Sequence, residues 1–142
     1  MRKKLFISCP MRGRTPEAIQ TCRERMHKVA EALWGEELDV IASYVPNAVP
    51  SEAASCKHPA VACLGASIKA MANADYFIGV DSYSYTGCNI ERNVAQNYDI
   101  PTHIIPTDTI VPPMERQQQE FERWREAQLR GCQNAFPPVP LG

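Results

Sequence analysis

Two carboxylates ten positions apart, Asp81 and Glu91, follow a short apolar run at residues 76–80. A carboxylate can attack an anomeric carbon and form a covalent glycosyl intermediate. We expect Glu91 to be this nucleophile and Asp81 to hold the sugar or the leaving base. Tyr83 and Tyr85 lie between them and can stack on a flat base or donate through their hydroxyls. The alternative is that Asp81 caps a turn, Glu91 lies on a solvated helix and the tyrosines are ordinary loop aromatics.

A second polar segment, residues 8–14, follows the first apolar run of the chain. Arg12 offers a planar guanidinium that can hold a phosphate or carboxylate through two hydrogen bonds. Gly13 allows close backbone approach, and a helix beginning near Thr15 favours an anion at its N-terminus. The segment matches neither G-x-G-x-x-G nor G-x-x-x-x-G-K-[ST]. It therefore predicts a phosphate or ribose site of another kind, or else Arg12 and Arg14 are solvated surface charges.

Other nucleophiles fit the sequence less well. No G-x-S-x-G motif is present. Cys9 and Cys88 lie near the two polar segments, but the three histidines, His27, His58 and His103, occupy unrelated segments. The sequence therefore disfavours a cysteine–histidine pair.

The six cysteines do not form a metal-binding pattern. None belongs to a C-x-x-C pair, and the nearest approach to a cluster is Cys56 and His58 with Cys63. Zinc sites usually draw on closely spaced ligand pairs. We expect no metal and no cofactor, and reduced cysteines that act as small hydrophobic residues.

Composition places the chain among ordinary globular proteins. It has 142 residues, 44% hydrophobic and 22% charged, with a formal net charge of −1. This length suits one domain, 1–142, with a core at 4–106 and a C-terminal helix and proline-rich tail at 112–142. The balanced charge provides no field that would attract a nucleic-acid polymer or an anionic membrane. The apolar run at residues 5–7 is too short for a signal peptide, so we expect a cytoplasmic protein that does not enter a membrane.

Strands and helices are predicted to alternate. Apolar runs predict strands at 4–8, 38–44, 76–80 and 102–105. Thr15 with Pro16 begins a helix that Gly35 ends. We expect its buried face to hold Ile19, Cys22, Met26, Val29, Ala30 and Leu33. The second helix, which ends at Asn73, is predicted to bury Val61, Leu64, Ile68, Met71 and Ala72. The third helix, between residues 88 and 98, is predicted to bury Ile90, Val94 and Ala95. A polar helix at 114–130 and an irregular tail complete the chain.

This alternation predicts a Rossmann-like or flavodoxin-like α/β fold, a parallel sheet of four to five strands with helices on both faces. With the strand order 2-1-3-4, the chain reverses direction between strands one and three. Ligands bind at that switch point, outside the carboxyl ends of the strands. Residues 8–14 and 81–91 should therefore converge there. Glu91 should point into the crevice, with Asp81, a tyrosine hydroxyl or a ligand as its partner.

Three segments resemble the nucleoside 2-deoxyribosyltransferase superfamily: LFISCPMRG at 5–13, ADYFI at 74–78 and GCNIERNVA at 87–95. The resemblance spans about residues 4–106 and is nearest to an often phage-borne branch with a P-M-R-G loop. The superfamily also includes deoxynucleoside monophosphate N-hydrolases. Its enzymes carry the nucleophile in a G-x-x-x-E-x-x-x-A-like pattern, which Gly87, Glu91 and Ala95 match. The resemblance thus implies that Glu91 is the nucleophile.

One position departs from that pattern. The enzymes assist the leaving base with an aspartate on the preceding helix, and the corresponding place falls near Ser67. The chain is therefore expected to be a slow hydrolase, to use Asp81 instead, or to bind nucleotides without cleaving them, as a phage protein that sequesters a signalling nucleotide would. The predicted catalytic residues are Glu91 and Asp81, and the predicted binding residues are Ser8, Cys9, Pro10, Met11, Arg12, Gly13, Tyr44, Ser67, Tyr83, Tyr85, Gly87, Cys88 and Asn89.

The expected ligand is a nucleoside or nucleotide. Superfamily enzymes are usually oligomers whose sites a neighbour completes. The helix at 114–130 carries Phe121 and Trp124 among charges. We therefore expect a homo-oligomer, at least a dimer, with this helix at or near the contact.

Overall fold

Strands and helices alternate along the chain, as the sequence predicts. The computed structural model describes residues 1–42, 54–82, 84–112 and 125. Tyr44, Tyr83 and almost all of the predicted C-terminal helix and tail lie outside these ranges. The elements are β1 (Lys3–Ile7), α1 (Pro16–Trp34), β2 (Leu38–Val40), α2 (Pro59–Met71), β3 (Tyr76–Val80), α3 (Thr86–Asn97), β4 (Thr102–Ile105) and a 3-10 turn (Thr107–Thr109).

The described strands form one parallel sheet of four, in the order β2-β1-β3-β4. This confirms the predicted α/β fold and its strand order. In register, Ile7 pairs with Ile78 and Val80 with Ile105. The Ser8 amide still donates to the Ile78 carbonyl at 2.9 Å, which extends the pairing of β1 with β3 by one residue. The carboxyl ends of β1 and β3 therefore lie side by side at the switch point.

Helix α1 begins and ends where its capping residues predict. The Thr15 side chain accepts a hydrogen bond from the Ala18 amide at 3.1 Å. Gly35 adopts φ 68°, and its amide donates to the Glu31 carbonyl. A left-handed residue at this place suits glycine, which has no Cβ to clash.

Helices cover both faces of the sheet, because neighbouring strand residues point in opposite directions. Leu5 and Ile7 belong to the larger core with the buried side of α1. Phe6 and Phe77 stack on the other face, in a smaller core that includes Met71 of α2 and Ala95 of α3. The larger core also contains Ile110 and Val111, beyond the predicted limit at residue 106.

Two predicted helix faces are partly wrong. On α1, Ile19, Cys22, Met26 and Ala30 are buried, but Val29 and Leu33 are exposed, because they lie to the side of the helix face that packs on the sheet. On α2, Met71 is buried as expected, but Val61 is 68% exposed and Ala72 is exposed. The buried positions of α2 are instead Cys63, Ser67 and Met71, so small residues face inward.

Several element bounds differ by a few residues from those predicted. The strands β3 and β4 match their predicted limits, whereas β2 ends at Val40. Helix α3 begins at Thr86, two residues before the predicted start, and buries Glu91 and Arg92 with Ala95. Within the described ranges, no helix has the length and apolar character needed to cross a membrane.

Candidate active site

A cavity of about 440 Å³ opens at the switch point, in the size range of small-molecule pockets. Three segments enclose it: the loop after β1, one face of α2, and the first turns of α3. The two polar segments converge here, as the topology predicts. The lining residues are Cys9, Met11, Arg12, Gly13, Arg14, Ala60, Cys63, Leu64, Ser67, Tyr85, Thr86, Gly87, Cys88 and Glu91.

Glu91 faces the cavity and the loop after β1, which is the predicted orientation. Its side chain is 9% exposed. The Ser8 hydroxyl donates to Glu91 Oε1 at 2.8 Å, and both groups are buried. The observed partner is Ser8, not Asp81 or a tyrosine as predicted. Oε2 has no hydrogen-bond partner among the residues described, so one carboxylate oxygen is fixed and the other remains available to a ligand.

The electrostatics of Glu91 are set mainly by burial. Loss of solvation raises the pKa of its carboxyl to about 7, while the Ser8 hydroxyl and the positive charge of Arg23 act in the opposite direction. Burial disfavours the charged form of a carboxyl, and hydrogen bonds to the anion favour it. Desolvation is the largest of these three effects. Glu91 therefore exchanges a proton with solvent near neutral pH.

The cationic part of the cavity lies over the start of α3. Arg12 Nη2 is 3.5 Å from both the Ser84 carbonyl and Thr86 Oγ1. Tyr85 at the N-cap of α3 makes no side-chain capping bond, and the first residues of this helix, Thr86 and Gly87, line the cavity. Helix α1, the predicted anion site, is already capped by Thr15. The guanidinium of Arg12 and the uncapped start of α3 therefore lie together at the cavity.

Asp81 lies outside the cavity lining. Its Oδ1 accepts hydrogen bonds from the Thr107 amide at 2.9 Å and the Thr107 hydroxyl at 2.7 Å. The Thr107 amide and hydroxyl lower the pKa of the Asp81 carboxyl below its usual value. These contacts attach the turn after β4 to the end of β3, which is the turn-capping alternative considered for this residue.

The remaining predicted residues divide into three groups. Pro10 is buried within the loop after β1. Asn89 accepts a hydrogen bond from Arg92, and Arg92 also donates to the Val80 carbonyl, which attaches α3 to β3. Tyr44 and Tyr83 lie outside the described residues, so their predicted roles stay predictions. Those that line the cavity are Cys9, Met11, Arg12, Gly13, Ser67, Tyr85, Gly87 and Cys88.

Sequence reasoning missed most of the wall that α2 provides. Ala60, Cys63, Leu64 and Ser67 have helical spacings of three and four, which place them on one face. That spacing was detectable, but the larger apolar residues of α2 suggested a different inward face. Arg14 and Thr86 also line the cavity, as expected for the segments 8–14 and 81–91, although neither was named as a binding residue. Arg14 Nη1 donates to the Pro10 carbonyl at 2.8 Å, which fixes the loop.

Two of the thiols that line the cavity, those of Cys9 and Cys88, are poorly suited to nucleophilic attack. Burial raises the pKa of Cys88 to about 12. A hydrogen bond with Cys22, together with burial, raises the pKa of Cys9 well above its usual range. A thiol that keeps its proton is a weak nucleophile. No histidine is among the lining residues described, and the described cysteines, all free, are Cys9, Cys22, Cys56, Cys63 and Cys88.

Comparisons with known proteins do not assign a family. No protein-family model, no curated protein and no solved structure matches the chain. Across the described part of the chain, no three His, Cys, Asp or Glu side chains are grouped so as to hold a metal ion. Glu91, its hydroxyl partner and the cavity are therefore the basis for a functional proposal.

Proposed function

We propose that this protein cleaves the N-glycosidic bond of a nucleoside or nucleotide, with Glu91 as the nucleophile. The supporting observation is the carboxyl of Glu91, which is buried, held through one oxygen by Ser8 and directed into the cavity. The resemblance to the nucleoside 2-deoxyribosyltransferase superfamily agrees with this role. It is part of the proposal, as is the choice between hydrolysis and base transfer.

The chemistry requires two displacements at the anomeric carbon. The Glu91 carboxylate forms a bond to that carbon while the glycosidic carbon–nitrogen bond breaks, and the bonding electron pair leaves with the base, which takes a proton from solvent. Water then attacks the same carbon, loses a proton and releases the carboxylate with the sugar. If a second base attacks instead of water, the outcome is base transfer.

The surroundings of Glu91 suit a group that must ionise before it reacts. Only the ionised carboxylate can attack, so kcat/KM should rise with pH through about 7, the pKa of the Glu91 carboxyl. A partly desolvated carboxylate is also more reactive than one surrounded by water. Ser8 limits its rotation, which lowers the cost of reaching the attacking geometry.

The phosphate of a nucleotide ligand would bind beside Arg12 and the first amides of α3. Arg12→Ala should weaken nucleotides more than the matching nucleosides, by about 10- to 150-fold if one charge-assisted pair is lost. Titration calorimetry with matched nucleoside and monophosphate pairs measures this difference. Equal weakening of both ligand classes would place the phosphate elsewhere.

A second candidate function is nucleotide binding without turnover. The observation that favours it is the engagement of Asp81 with Thr107, which removes the predicted second carboxylate from the cavity. Loss of an acid–base partner typically costs about 10²- to 10⁴-fold in rate. A protein that sequesters a signalling nucleotide would tolerate that loss.

Base release separates the two candidates. The full chain is incubated with a panel of nucleosides, deoxynucleosides and their monophosphates, and free base is measured by chromatography. The catalytic proposal predicts free base with at least one substrate, and none with Glu91→Gln. Tight binding of an unmodified nucleotide without base release supports the binding function, and neither binding nor release contradicts both.

Assembly and location belong to the proposal as well. The expected homo-oligomer, with residues 114–130 near the contact, rests on sequence alone because those residues lie almost wholly outside the described ranges. The same holds for a cytoplasmic location. Light scattering of the full chain should give at least the mass of a dimer, and a monomer at working concentration would contradict this.

A further inference from the structure

Two buried thiols, those of Cys9 and Cys22, lie side by side at the wall of the cavity. Cys9 follows β1 and lines the cavity, whereas Cys22 lies on the buried face of α1, and each is 2% exposed. The Cys9 sulfur is 3.9 Å from the carbonyl oxygen of Ile19, which lies about one helical turn before Cys22. The Cys9 and Cys22 side chains form a hydrogen bond with each other. The loop after β1 and helix α1 thus bring one thiol each to the same place.

A guanidinium lies beside this pair. Arg14 lines the cavity, and its Nη1 is 3.9 Å from the Cys9 sulfur and donates to the Pro10 carbonyl at 2.8 Å. The hydrogen bond with Cys9 lowers the pKa of the Cys22 thiol, burial acts in the opposite direction, and Arg14 lowers it again through a hydrogen bond and its charge. Cys22 is therefore the thiol that ionises, while Cys9 keeps its proton and donates it to the thiolate.

We propose that Cys9 and Cys22 are a modification site, at which hydrogen peroxide or a small organic peroxide oxidises the two thiols to a disulfide. This site is independent of the proposed function, because its chemistry needs no nucleotide and no reaction at Glu91. Peroxide is small enough to enter the cavity, where it meets the wall that Cys9 and Arg14 form in front of Cys22. Cys88 also lines the cavity, but burial raises the pKa of its thiol to about 12, so it remains a poor competitor.

The oxidation proceeds in two displacements. The Cys22 thiolate attacks one peroxide oxygen, the O–O bond breaks, and the departing hydroxide (or alkoxide) takes up a proton, which leaves a sulfenic acid on Cys22. The Cys9 sulfur, as its proton leaves, then attacks the Cys22 sulfur, the S–O bond breaks, and hydroxide departs with that proton as water. Two thiols are oxidised by two electrons and one peroxide is reduced. The new bond joins the loop after β1 to α1, one residue beyond Ser8.

Peptide mapping of the full chain provides the test. The reduced chain is treated with hydrogen peroxide at neutral pH, the remaining thiols are alkylated, and the band of a single chain on a non-reducing denaturing gel is digested with trypsin. Trypsin places Cys9 in the peptide 5–12 and Cys22 in the peptide 15–23. We expect these two peptides to be linked, with a mass two hydrogen atoms below their sum, and dithiothreitol should separate them.

Variants identify the groups that carry the reaction. Cys22→Ser should leave Cys9 reduced and open to alkylation after unfolding, and circular dichroism checks that this variant folds. Arg14→Gln removes the cation and should slow formation of the linked peptides by about 3- to 10-fold, because a smaller fraction of Cys22 is ionised. Arg14→Lys keeps a positive charge and should lie closer to the native rate. Cys63→Ala removes another buried thiol that lines the cavity and is the matched control, with no expected change.

Three outcomes would overturn the site, and each is read on the native chain. The first is no link between peptides 5–12 and 15–23 at a peroxide dose that fully consumes the exposed Cys56 thiol. The second is loss of the Cys22, Cys63 and Cys88 thiols at one common rate, since oxidation would then follow unfolding. The third is a link from Cys9 or Cys22 to a different cysteine. In every case the proposed function would stand, because base release does not depend on this disulfide.

Discussion

Asp81 and Glu91 carry the same functional group and flank the same loop, but their environments are opposite. Asp81 is exposed at the end of β3 and accepts two hydrogen bonds from Thr107, which lower the pKa of its carboxyl. Glu91 is buried, accepts one hydrogen bond from Ser8, and has a pKa raised to about 7. One carboxylate is stabilised as an anion on the surface, whereas the other is destabilised as an anion beside a cavity.

The difference shows how surroundings assign roles to chemically equivalent residues. Hydrogen-bond donors around a carboxylate stabilise the fold and reduce its reactivity, and desolvation does the reverse. By this criterion Asp81 is a structural residue and Glu91 is the candidate for chemistry.

The largest expected effect is on activity. Glu91→Gln should reduce base release by at least ~10³-fold, because the amide is a poor nucleophile. Asp81→Asn should change it by less than about 3-fold, since Asp81 lies outside the cavity lining and the amide oxygen can still accept from Thr107. Initial rates of both isosteric variants, measured with the same substrate, test the contrast. A similar loss of activity in both variants would mean that Asp81 also takes part in catalysis.

The next effect concerns stability and its pH dependence at Glu91. The folded chain holds the Glu91 proton up to about pH 7, against 4.5 for an exposed carboxyl. Between these values the folded state binds more protons than the unfolded state, so the free energy of unfolding falls as pH rises. The Glu91→Gln side chain does not ionise. Above pH 8 its free energy of unfolding should therefore exceed that of the native chain by on the order of 3 kcal/mol.

Urea unfolding from pH 4 to 9 measures this gain. The difference between Glu91→Gln and the native chain should grow with pH and level off above pH 7. Glu24→Gln, at an exposed position of α1, is the matched control and should give no such trend. A pH-independent difference for Glu91→Gln would mean that burial does not raise the pKa of this carboxyl.

A smaller effect, of opposite sign, is expected at Asp81. Asp81→Ala removes both bonds to Thr107 and should cost about 1 kcal/mol near neutral pH, a modest value because solvent screens the site. The lowered pKa means that this stabilisation is present above the usual value of 3.8 and is lost as pH falls through the lower folded value. The native chain and Asp81→Ala should therefore converge in acid, as thermal unfolding at pH 2 to 7 would reveal. A difference that persists in acid would show that the charge of Asp81 is not involved.

Ser8 provides the smallest and most selective change. Ser8→Ala removes the hydrogen bond that stabilises ionised Glu91, so the pKa of that carboxyl should rise further. The rising limb of the pH–rate profile should move to higher pH, with roughly 2- to 5-fold lower activity at pH 7. Ser8→Thr keeps a hydroxyl and should restore the native profile. If the rising limb of the pH–rate profile does not move in Ser8→Ala, Ser8 contributes packing and does not stabilise ionised Glu91.

The sequence was sufficient for features that depend on local chemistry. Thr15 and Gly35 mark the ends of α1 through capping, and short apolar runs match β3 and β4, because these signals act within a few residues. The convergence of the two loops followed from strand order. The pairing of Ser8 with Glu91 did not, because it depends on the register of β1 against β3 and on how α3 packs over them. The inward face of α2 was misjudged because Val61, at 68% exposure, is more hydrophobic than the buried Ser67.

The most direct test of the central claim is to trap the glycosyl intermediate on Glu91. A 2′-fluoro-arabino nucleoside 5′-monophosphate slows both displacements, because fluorine destabilises positive charge at the anomeric carbon, and a covalent intermediate then accumulates. Peptide mass spectrometry should find one fluorinated sugar phosphate on the peptide that contains Glu91, and none in Glu91→Gln. Base release with the sugar attached to another residue, or with no covalent adduct, would contradict the account.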